Sequence, residues 1–276
     1  MDYALYTGCT TPVIAPHYEV SARRVCESLN IDLELLHAPC CGNPLKPVNE
    51  KEAVTMALYV LSLAGRAPLM TLCSACTSSL LEAKKRADTE ALERLHVDRE
   101  KIERLQVKHF IQVLVEEYGL EPLRDRIEIP LDCRVAVHYG CHFHRPSSLY
   151  SEDPEYPHLL DDLVEICGAC SVPYRRKSMC CGSPVMGVDF DVSVQMTAKK
   201  LQDIKGKADI MVITCSGCGF MFDRKQKSVE SLTGELNIPV LYYSQFLGLA
   251  LGIPPEKLGF EINRVPVKSF LEKVLS

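Results

Sequence analysis

The sequence predicts an α/β protein made of two tandemly duplicated domains, each with a parallel sheet and a cluster of cysteines at the C-terminal ends of its strands. Two observations lead to this prediction. The pattern Cys-Cys-Gly-polar-Pro occurs twice, at residues 40–44 and 180–184. In both halves, apolar runs of strand length also alternate with segments of helical length, which is typical of a parallel sheet covered by helices.

Aligning the two Cys-Cys-Gly motifs brings other segments into register. Short apolar runs that end on cysteine occur at the same relative positions in both halves, and they pair residues 2–9 with 134–141 and residues 69–73 with 210–215. The chain therefore reads as a duplication. We predict a first domain over residues 1–130 and a second over residues 131–276.

Within each half, the spacing of apolar residues predicts three helices between the strands. In the first half, the predicted helices are residues 19–29, residues 52–64 and a segment from residue 80 onward. In the second half, they are residues 157–167, 191–204 and 220–232. Shorter strands are predicted at residues 33–37 and 172–174. Residues 209–214 are nearly all apolar, which favours a strand buried on both faces. The highly charged segment 84–104 is interpreted as a solvated helical insertion.

Composition limits the class of function. The chain has 276 residues and a formal net charge of -5, which gives no support for binding nucleic acid. The amino-terminal residues lack the pattern of a signal peptide, and no apolar run is long enough to insert directly into a membrane. We therefore expect a cytoplasmic protein. In that compartment thiols stay reduced, and fourteen cysteines are better explained as metal ligands than as disulfides.

Ten of the fourteen cysteines form two sets of five with the same arrangement: one lone cysteine, a vicinal pair, and a Cys-x-x-Cys. In each set, the lone cysteine and the first cysteine of Cys-x-x-Cys directly end a predicted strand. Ligands of parallel sheets bind at that edge, so each set should converge there. The sets are Cys9, Cys40, Cys41, Cys73 and Cys76 in the first half, and Cys141, Cys180, Cys181, Cys215 and Cys218 in the second.

Five thiols in each half favour iron-sulfur chemistry. A structural zinc ion takes four ligands in a tetrahedron, so a set of five exceeds its need. Adjacent cysteines tend to point apart, which suits two irons of a larger cluster better than one small ion. Zinc, and inert or disulfide-bonded thiols, remain open as alternatives at this point.

With these spacings assembled, the chain closely resembles the B-type subunit of heterodisulfide reductase, a family with tandem Cys-Cys-Gly (CCG) domains. The resemblance runs nearly end to end. Residues 140–146, Gly-Cys-His-Phe-His-Arg-Pro, also resemble the Gly-Cys-His-x-x-Arg-Pro stretch at the head of the second domain in that family.

The resemblance implies that each five-cysteine set holds a noncubane [4Fe-4S] cluster and that the two clusters face one cavity. There the mixed disulfide of coenzyme M and coenzyme B, a substrate of methanogenesis, is reduced to two thiols. Electrons would come from the ferredoxin-like C-type subunit, fed in soluble complexes by the A-type flavoprotein subunit. Because related CCG proteins serve other reactions, the alternative is an electron-relay or docking subunit of a quinone- or sulfur-carrier-linked complex.

Two residues that follow the ligand Cys141 are candidate catalytic residues. His142 is a candidate proton donor to the nascent thiolate, and Arg145 a candidate anchor for an anionic group of the substrate. The alternative is structural: a hydrogen bond within the loop for His142, and a helix cap or local ion pair for Arg145.

Four cysteines stand outside the two sets. Cys26 lies on the apolar face of a predicted helix and Cys133 at the start of a strand, so both are interpreted as core residues. Cys167 and Cys170 form a third Cys-x-x-Cys with no counterpart in the first half. We interpret this pair as structural, with a labile redox pair or a zinc site as the alternative.

Overall fold

The computed structural model describes residues 1–65, 67–147 and 153–276. In this part of the chain, eight strands form two parallel sheets of four. The strands are β1 (Asp2–Tyr6), β2 (Asp32–Leu35), β3 (Leu69–Thr71), β4 (Val107–His109), β5 (Arg134–His138), β6 (Cys170–Ser171), β7 (Ile210–Ile213) and β8 (Val240–Tyr242). The strand order is β2-β1-β3-β4 in one sheet and β6-β5-β7-β8 in the other, so both halves have the same topology.

Helices follow the strands in both halves, which confirms the predicted alternation. They are α1 (Thr11–Ile14), α2 (Pro16–Ser28), α3 (Glu50–Leu63), α4 (Ser74–Arg86), α5 (Thr89–Leu95), α6 (Arg99–Arg104), α7 (Phe110–Gln112), α8 (Leu120–Arg124), α9 (Leu159–Glu165), α10 (Phe190–Ile204), α11 (Ser216–Gly219), α12 (Gln226–Thr233), α13 (Tyr243–Ala250) and α14 (Lys268–Val274). Among the described residues, no helix combines the length and the apolar character needed to cross a membrane.

Three of the predicted elements differ from the structure. The helix expected from residue 80 onward is α4 and begins earlier, at Ser74. The strand expected at residues 172–174 lies instead at Cys170–Ser171, because the chain then leaves the sheet and Tyr174 donates its hydroxyl hydrogen to the Val137 carbonyl at 2.7 Å. The single helix expected over residues 220–232 is a π-helical turn, Phe220–Arg224, followed by α12.

The strand register positions the cysteines. Tyr6 pairs with Thr71 in the first sheet, and His138 pairs with Ile213 in the second. Neighbouring strands therefore end at the same edge, and the loops that follow them carry the lone cysteine and the Cys-x-x-Cys of each half. All four residues of β7 are buried, as its apolar sequence predicted.

The two halves pack together through α2 and α13. The hydroxyl groups of Ser21 and Ser244 lie 2.6 Å apart, and the ring of Tyr18 stacks on the ring of Tyr242 with centroids 4.1 Å apart. Tyr18 also donates its hydroxyl hydrogen to the carbonyl of Thr214 at 3.2 Å. The first half therefore binds the backbone directly before Cys215 of the second.

The charged segment 84–104 forms α5 and α6. Its outer face is exposed, as predicted for a solvated insertion, but Ala91, Leu92 and Ile102 are buried in the core. Arg94 also pairs with Glu52 of α3 at 2.8 Å. The insertion thus packs against α3 through an apolar face that its composition alone did not reveal.

Candidate metal centre

The first five cysteines form a continuous series of contacts. The Sγ atoms of Cys9 and Cys40 lie 3.5 Å apart, and so do those of Cys41 and Cys76. Interactions between the thiols of Cys40 and Cys41, and between those of Cys73 and Cys76, complete the series. The predicted convergence of the first set is therefore present in the structure.

The second set repeats this arrangement. Cys180 interacts with the thiols of Cys141 and Cys181, and Cys218 interacts with those of Cys181 and Cys215. The order of contacts is the same in both sets: lone cysteine, vicinal pair, second cysteine of Cys-x-x-Cys, then the first. The duplicated sequence has therefore produced a duplicated site.

The two sets meet across the interface between the halves. The Sγ atoms of Cys73 and Cys215 lie 3.9 Å apart. Ser74, the residue after Cys73, also forms a side-chain hydrogen bond to Cys215. Ten thiols from both halves are therefore joined in one chain of contacts, and the two sites are direct neighbours.

Contacts within each set lower the pKa of some thiols and raise the pKa of their partners, and the thiolate is the form that binds metal. Bonds from Cys40 and then Cys76 lower the pKa of Cys41. In the second set, bonds from Cys141 and Cys181 lower the pKa of Cys180.

The structure explains why a glycine follows the cysteine pair in each Cys-Cys-Gly motif. Gly42 and Gly182 adopt φ values of 81° and 98°, in the left-handed region that favours glycine. A Cβ atom added at Gly182 would lie 2.6 Å from the carbonyl oxygen of Ser193 in α10, and one added at Gly42 would lie 2.6 Å from the carbonyl oxygen of Ala53 in α3. The close approach also lets the backbone N–H of Gly182 donate to Cys180 Sγ at 3.4 Å.

Each set is open on one side. Cys9 is exposed, and Cys40, Cys141 and Cys180 are half-buried. The other six cysteines of the two sets are buried. In both halves the accessible sulfurs are thus the lone cysteine and the first cysteine of the vicinal pair.

A histidine adjoins the second set. His138 is buried, with Nε2 3.2 Å from Cys218 Sγ and Nδ1 2.8 Å from Nζ of the buried Lys200. Burial, and then the charge of Lys200, hold the pKa of His138 well below its usual value, so the imidazole is neutral. Burial lowers the pKa of Lys200 to about 8, which leaves the ammonium group protonated at pH 7.

This geometry decides whether His138 can bind a metal. Ligand atoms of His138, Cys181 and Cys218 lie within 4.8 Å of one another, as a three-ligand metal site requires. An ammonium group can only donate hydrogen bonds, so Nδ1 of His138 accepts from Lys200 and Nε2 carries the proton. In this arrangement His138 donates to Cys218 and has no free lone pair directed at the thiols.

Comparison with known proteins identifies the family. The cysteine-rich CCG domain model matches residues 3–81 and 135–223. The B-type subunit of ferredoxin:CoB-CoM heterodisulfide reductase from Methanosarcina mazei is 37% identical over 288 aligned residues, which cover 98% of this chain and 96% of that protein. This chain belongs to the family of heterodisulfide reductase B-type subunits.

The family extends to other complexes. The 8-methylmenaquinol:fumarate reductase membrane anchor subunit of Wolinella succinogenes is 28% identical over 275 residues, covering 95% of this chain and 96% of that protein. A hypothetical protein from Helicobacter pylori with a known crystal structure superposes with a TM-score of 0.70 at 14% identity, covering 96% of this chain and 52% of that one. This chain thus spans about half the length of that structure, and the likeness concerns the fold alone.

The donor set of this heterodisulfide reductase B-type chain fits iron-sulfur clusters. Thiolate sulfur is the ligand that such clusters use, and each half places five thiols in mutual contact. Cys26 and Cys133 lie buried in the core, as predicted. The two cysteines of the third Cys-x-x-Cys differ in exposure: Cys167 is buried and Cys170 is exposed.

The two candidate catalytic residues lie on the turn that begins at Cys141. His142 is half-buried within the 3-10 turn Cys141–Phe143. The side chain of Arg145 is 54% exposed, with its guanidinium 3.8 Å from the carboxylate of Glu155. The adjacent His144 is buried, and neither ring nitrogen has a hydrogen-bond partner among the described residues. The roles of His142 and Arg145 stay predictions.

The sequence analysis did not single out Lys200 or its partner His138. A signal for Lys200 was available, because it follows Thr197 by three residues and precedes Ile204 by four on the buried stripe of α10. A lysine at a core position of an amphipathic helix is uncommon unless its charge is paired.

Proposed function

We propose that this chain is the catalytic subunit of a heterodisulfide reductase complex, and that it reduces a mixed disulfide of the coenzyme M-coenzyme B type to two thiols. Two noncubane [4Fe-4S] clusters would be held by the ten cysteines of the two sets, one in each of the domains 1–130 and 131–276. The observation that carries the proposal is the sulfur contact between Cys73 and Cys215 at 3.9 Å, because it makes the two sites neighbours.

When bound, such clusters supply electrons one at a time to the two sulfurs of a disulfide. The protein provides the ligands, the hydrogen bonds to them, and an open side on each site at Cys9, Cys40, Cys141 and Cys180. His142, next to Cys141, serves as proton donor to a thiolate product. Arg145 attracts an anionic group of the substrate from its exposed position.

We propose that the ferredoxin-like C-type subunit and the A-type flavoprotein subunit of such a complex are the partners that deliver electrons, in the cytoplasm. The relative from Methanosarcina mazei is named as one subunit of a ferredoxin-linked enzyme, which supports the assignment to a multi-subunit complex.

The test is reconstitution of the purified chain with iron and sulfide under anoxic conditions. We expect about eight irons for each chain, because two clusters of four are proposed. With a reduced viologen as electron donor, the loaded protein should reduce the coenzyme M-coenzyme B disulfide. A protein that binds zinc in place of iron would contradict the proposal.

An electron-relay or docking subunit is the second candidate, and the similarity to a fumarate reductase anchor subunit favours it. A relay subunit would load the same clusters and exchange electrons with its partner. It would nevertheless leave every small disulfide intact. The viologen assay across several disulfides therefore separates the two functions.

Replacing Arg145 tests its proposed contact with the substrate. We expect Arg145→Gln to raise KM for an anionic disulfide about tenfold with little change in kcat, because a charge-assisted contact contributes about 1.5 kcal/mol of binding. Steady-state kinetics with the viologen donor measure both constants. Arg124→Gln is the matched control, because the Arg124 side chain is similarly exposed, at 56%, and also pairs with a glutamate. Equal KM values for the two variants would contradict the proposed contact between Arg145 and the substrate.

A further inference from the structure

The two sites differ in one buried charge. Lys200 of α10 is 0% exposed, which is rare for lysine. Its ammonium group donates one hydrogen bond to the carbonyl of Lys177 at 2.9 Å and another to Nδ1 of His138 at 2.8 Å. The position holds a positive charge inside the second half, on the side of α10 that faces the cysteines.

This charge reaches a predicted ligand through His138. Because Nδ1 accepts from Lys200, Nε2 carries the proton and donates to Cys218 Sγ at 3.2 Å. The imidazole is fixed between two partners, and its ring also packs edge-on against Phe222 with centroids 4.9 Å apart. The result is a hydrogen bond to one cysteine of the second set from a neutral imidazole, which itself accepts a charge-assisted hydrogen bond from the Lys200 ammonium group.

The first half has no equivalent in its corresponding positions. The duplication pairs Lys200 with Val60 and His138 with Tyr6. Tyr6 donates its hydroxyl hydrogen to the carbonyl of Pro39 at 2.7 Å, and Val60 carries no charge.

We propose that Lys200, acting through His138, makes the reduction potential of the cluster in the second half higher than that of the cluster in the first. Lys200 is a positioning residue in this scheme. Reduction adds negative charge, and a nearby positive charge together with a hydrogen bond to a ligand sulfur stabilises the reduced state. An electron that enters the pair of sites would then reside mainly in the second half. This inference rests on the proposed function, since it requires a cluster in each site.

The test is a redox titration of the loaded full-length protein, followed by electron paramagnetic resonance. We expect two transitions at different potentials in the wild type. Lys200→Met should move the higher one to lower potential and leave the other in place. Lys199→Met is the matched control, because Lys199 is the neighbouring residue on α10 and is exposed. Lys200→Arg keeps the charge and should hold the higher transition closer to its wild-type value.

A variant that lacks the second cluster, Cys180→Ala with Cys181→Ala, assigns the transitions, since only the first-half signal should remain. If Lys200→Met fails to load iron, Lys200→Gln supplies the neutral side chain with hydrogen-bonding capacity. Unchanged potentials in a fully loaded neutral variant would overturn the inference while the proposed function stands. Wild-type protein that loads no iron, or that holds zinc, would overturn the proposed function itself.

Discussion

The variant Cys180→Ala with Cys181→Ala is expected to bind about half the iron of the wild type and to lose disulfide reduction by about a thousandfold or more. These residues are the vicinal pair of the second set, and Cys180 interacts with the thiols of Cys141 and Cys181. Alanine is the sharper choice because a serine oxygen can still bind iron. The loss is expected to be large because two centres that act together on one bond fail together when either is removed. Iron analysis and the viologen assay measure the two effects.

Cys170→Ser is the control for this experiment. Cys170 is exposed and lies outside both sets, in β6, so its replacement should leave iron content and turnover at the wild-type level. Full turnover in the Cys180→Ala and Cys181→Ala variant would contradict the assignment of a cluster to the second set. A loss of iron in Cys170→Ser would instead give the third Cys-x-x-Cys a metal-binding role.

Gly182→Ala is expected to destabilise the protein by about 2–5 kcal/mol. Alanine at this φ of 98° is strained by roughly 1–2 kcal/mol, and its Cβ would lie 2.6 Å from the carbonyl oxygen of Ser193, an overlap that costs about 1–3 kcal/mol. Relief of the clash requires the loop to move away from α10, which displaces Cys180 and Cys181. A fall in the thermal unfolding midpoint of about 5–15 °C, read by circular dichroism, is the expected signal.

Gly187→Ala gives the matched control in the same loop. A Cβ atom at Gly187 has no heavy atom within 4 Å, and its φ lies outside the left-handed region. The substitution should therefore change the unfolding midpoint by little. A Gly182→Ala protein as stable as this control would show that the loop tolerates a side chain there, and the structural account of the Cys-Cys-Gly motif would be wrong.

Much of the site was predictable because the cysteines lie at strand ends, where topology alone determines proximity. The runs that end before Cys73 and Cys215 are apolar, so the sequence identified them as buried strands, and the parallel arrangement brought their carboxyl ends to one edge. Because the chain is duplicated, the same strand pattern and cysteine spacing could be recognised separately in each half. The family resemblance implied a cofactor and a substrate, which the spacing did not determine.

The relation between the two halves was not predictable from the residues. The stacking of Tyr18 on Tyr242 and the contact between Ser21 and Ser244 depend on how two folded surfaces dock, and no local pattern encodes that geometry. The contact between Lys200 and His138 was also not predictable from a local pattern, because the two residues lie 62 positions apart in sequence. Side-chain burial of a charged residue becomes visible only when its helix is placed on the sheet.

The contact between Cys73 and Cys215 makes the burial of these sulfurs in each half depend on the other half. Each half supplies one wall of the other's site, and Tyr18 of one half is bonded to Thr214 beside Cys215 of the other. Each of these two buried sulfurs is covered in part by the other half, so separating the halves would expose both to solvent.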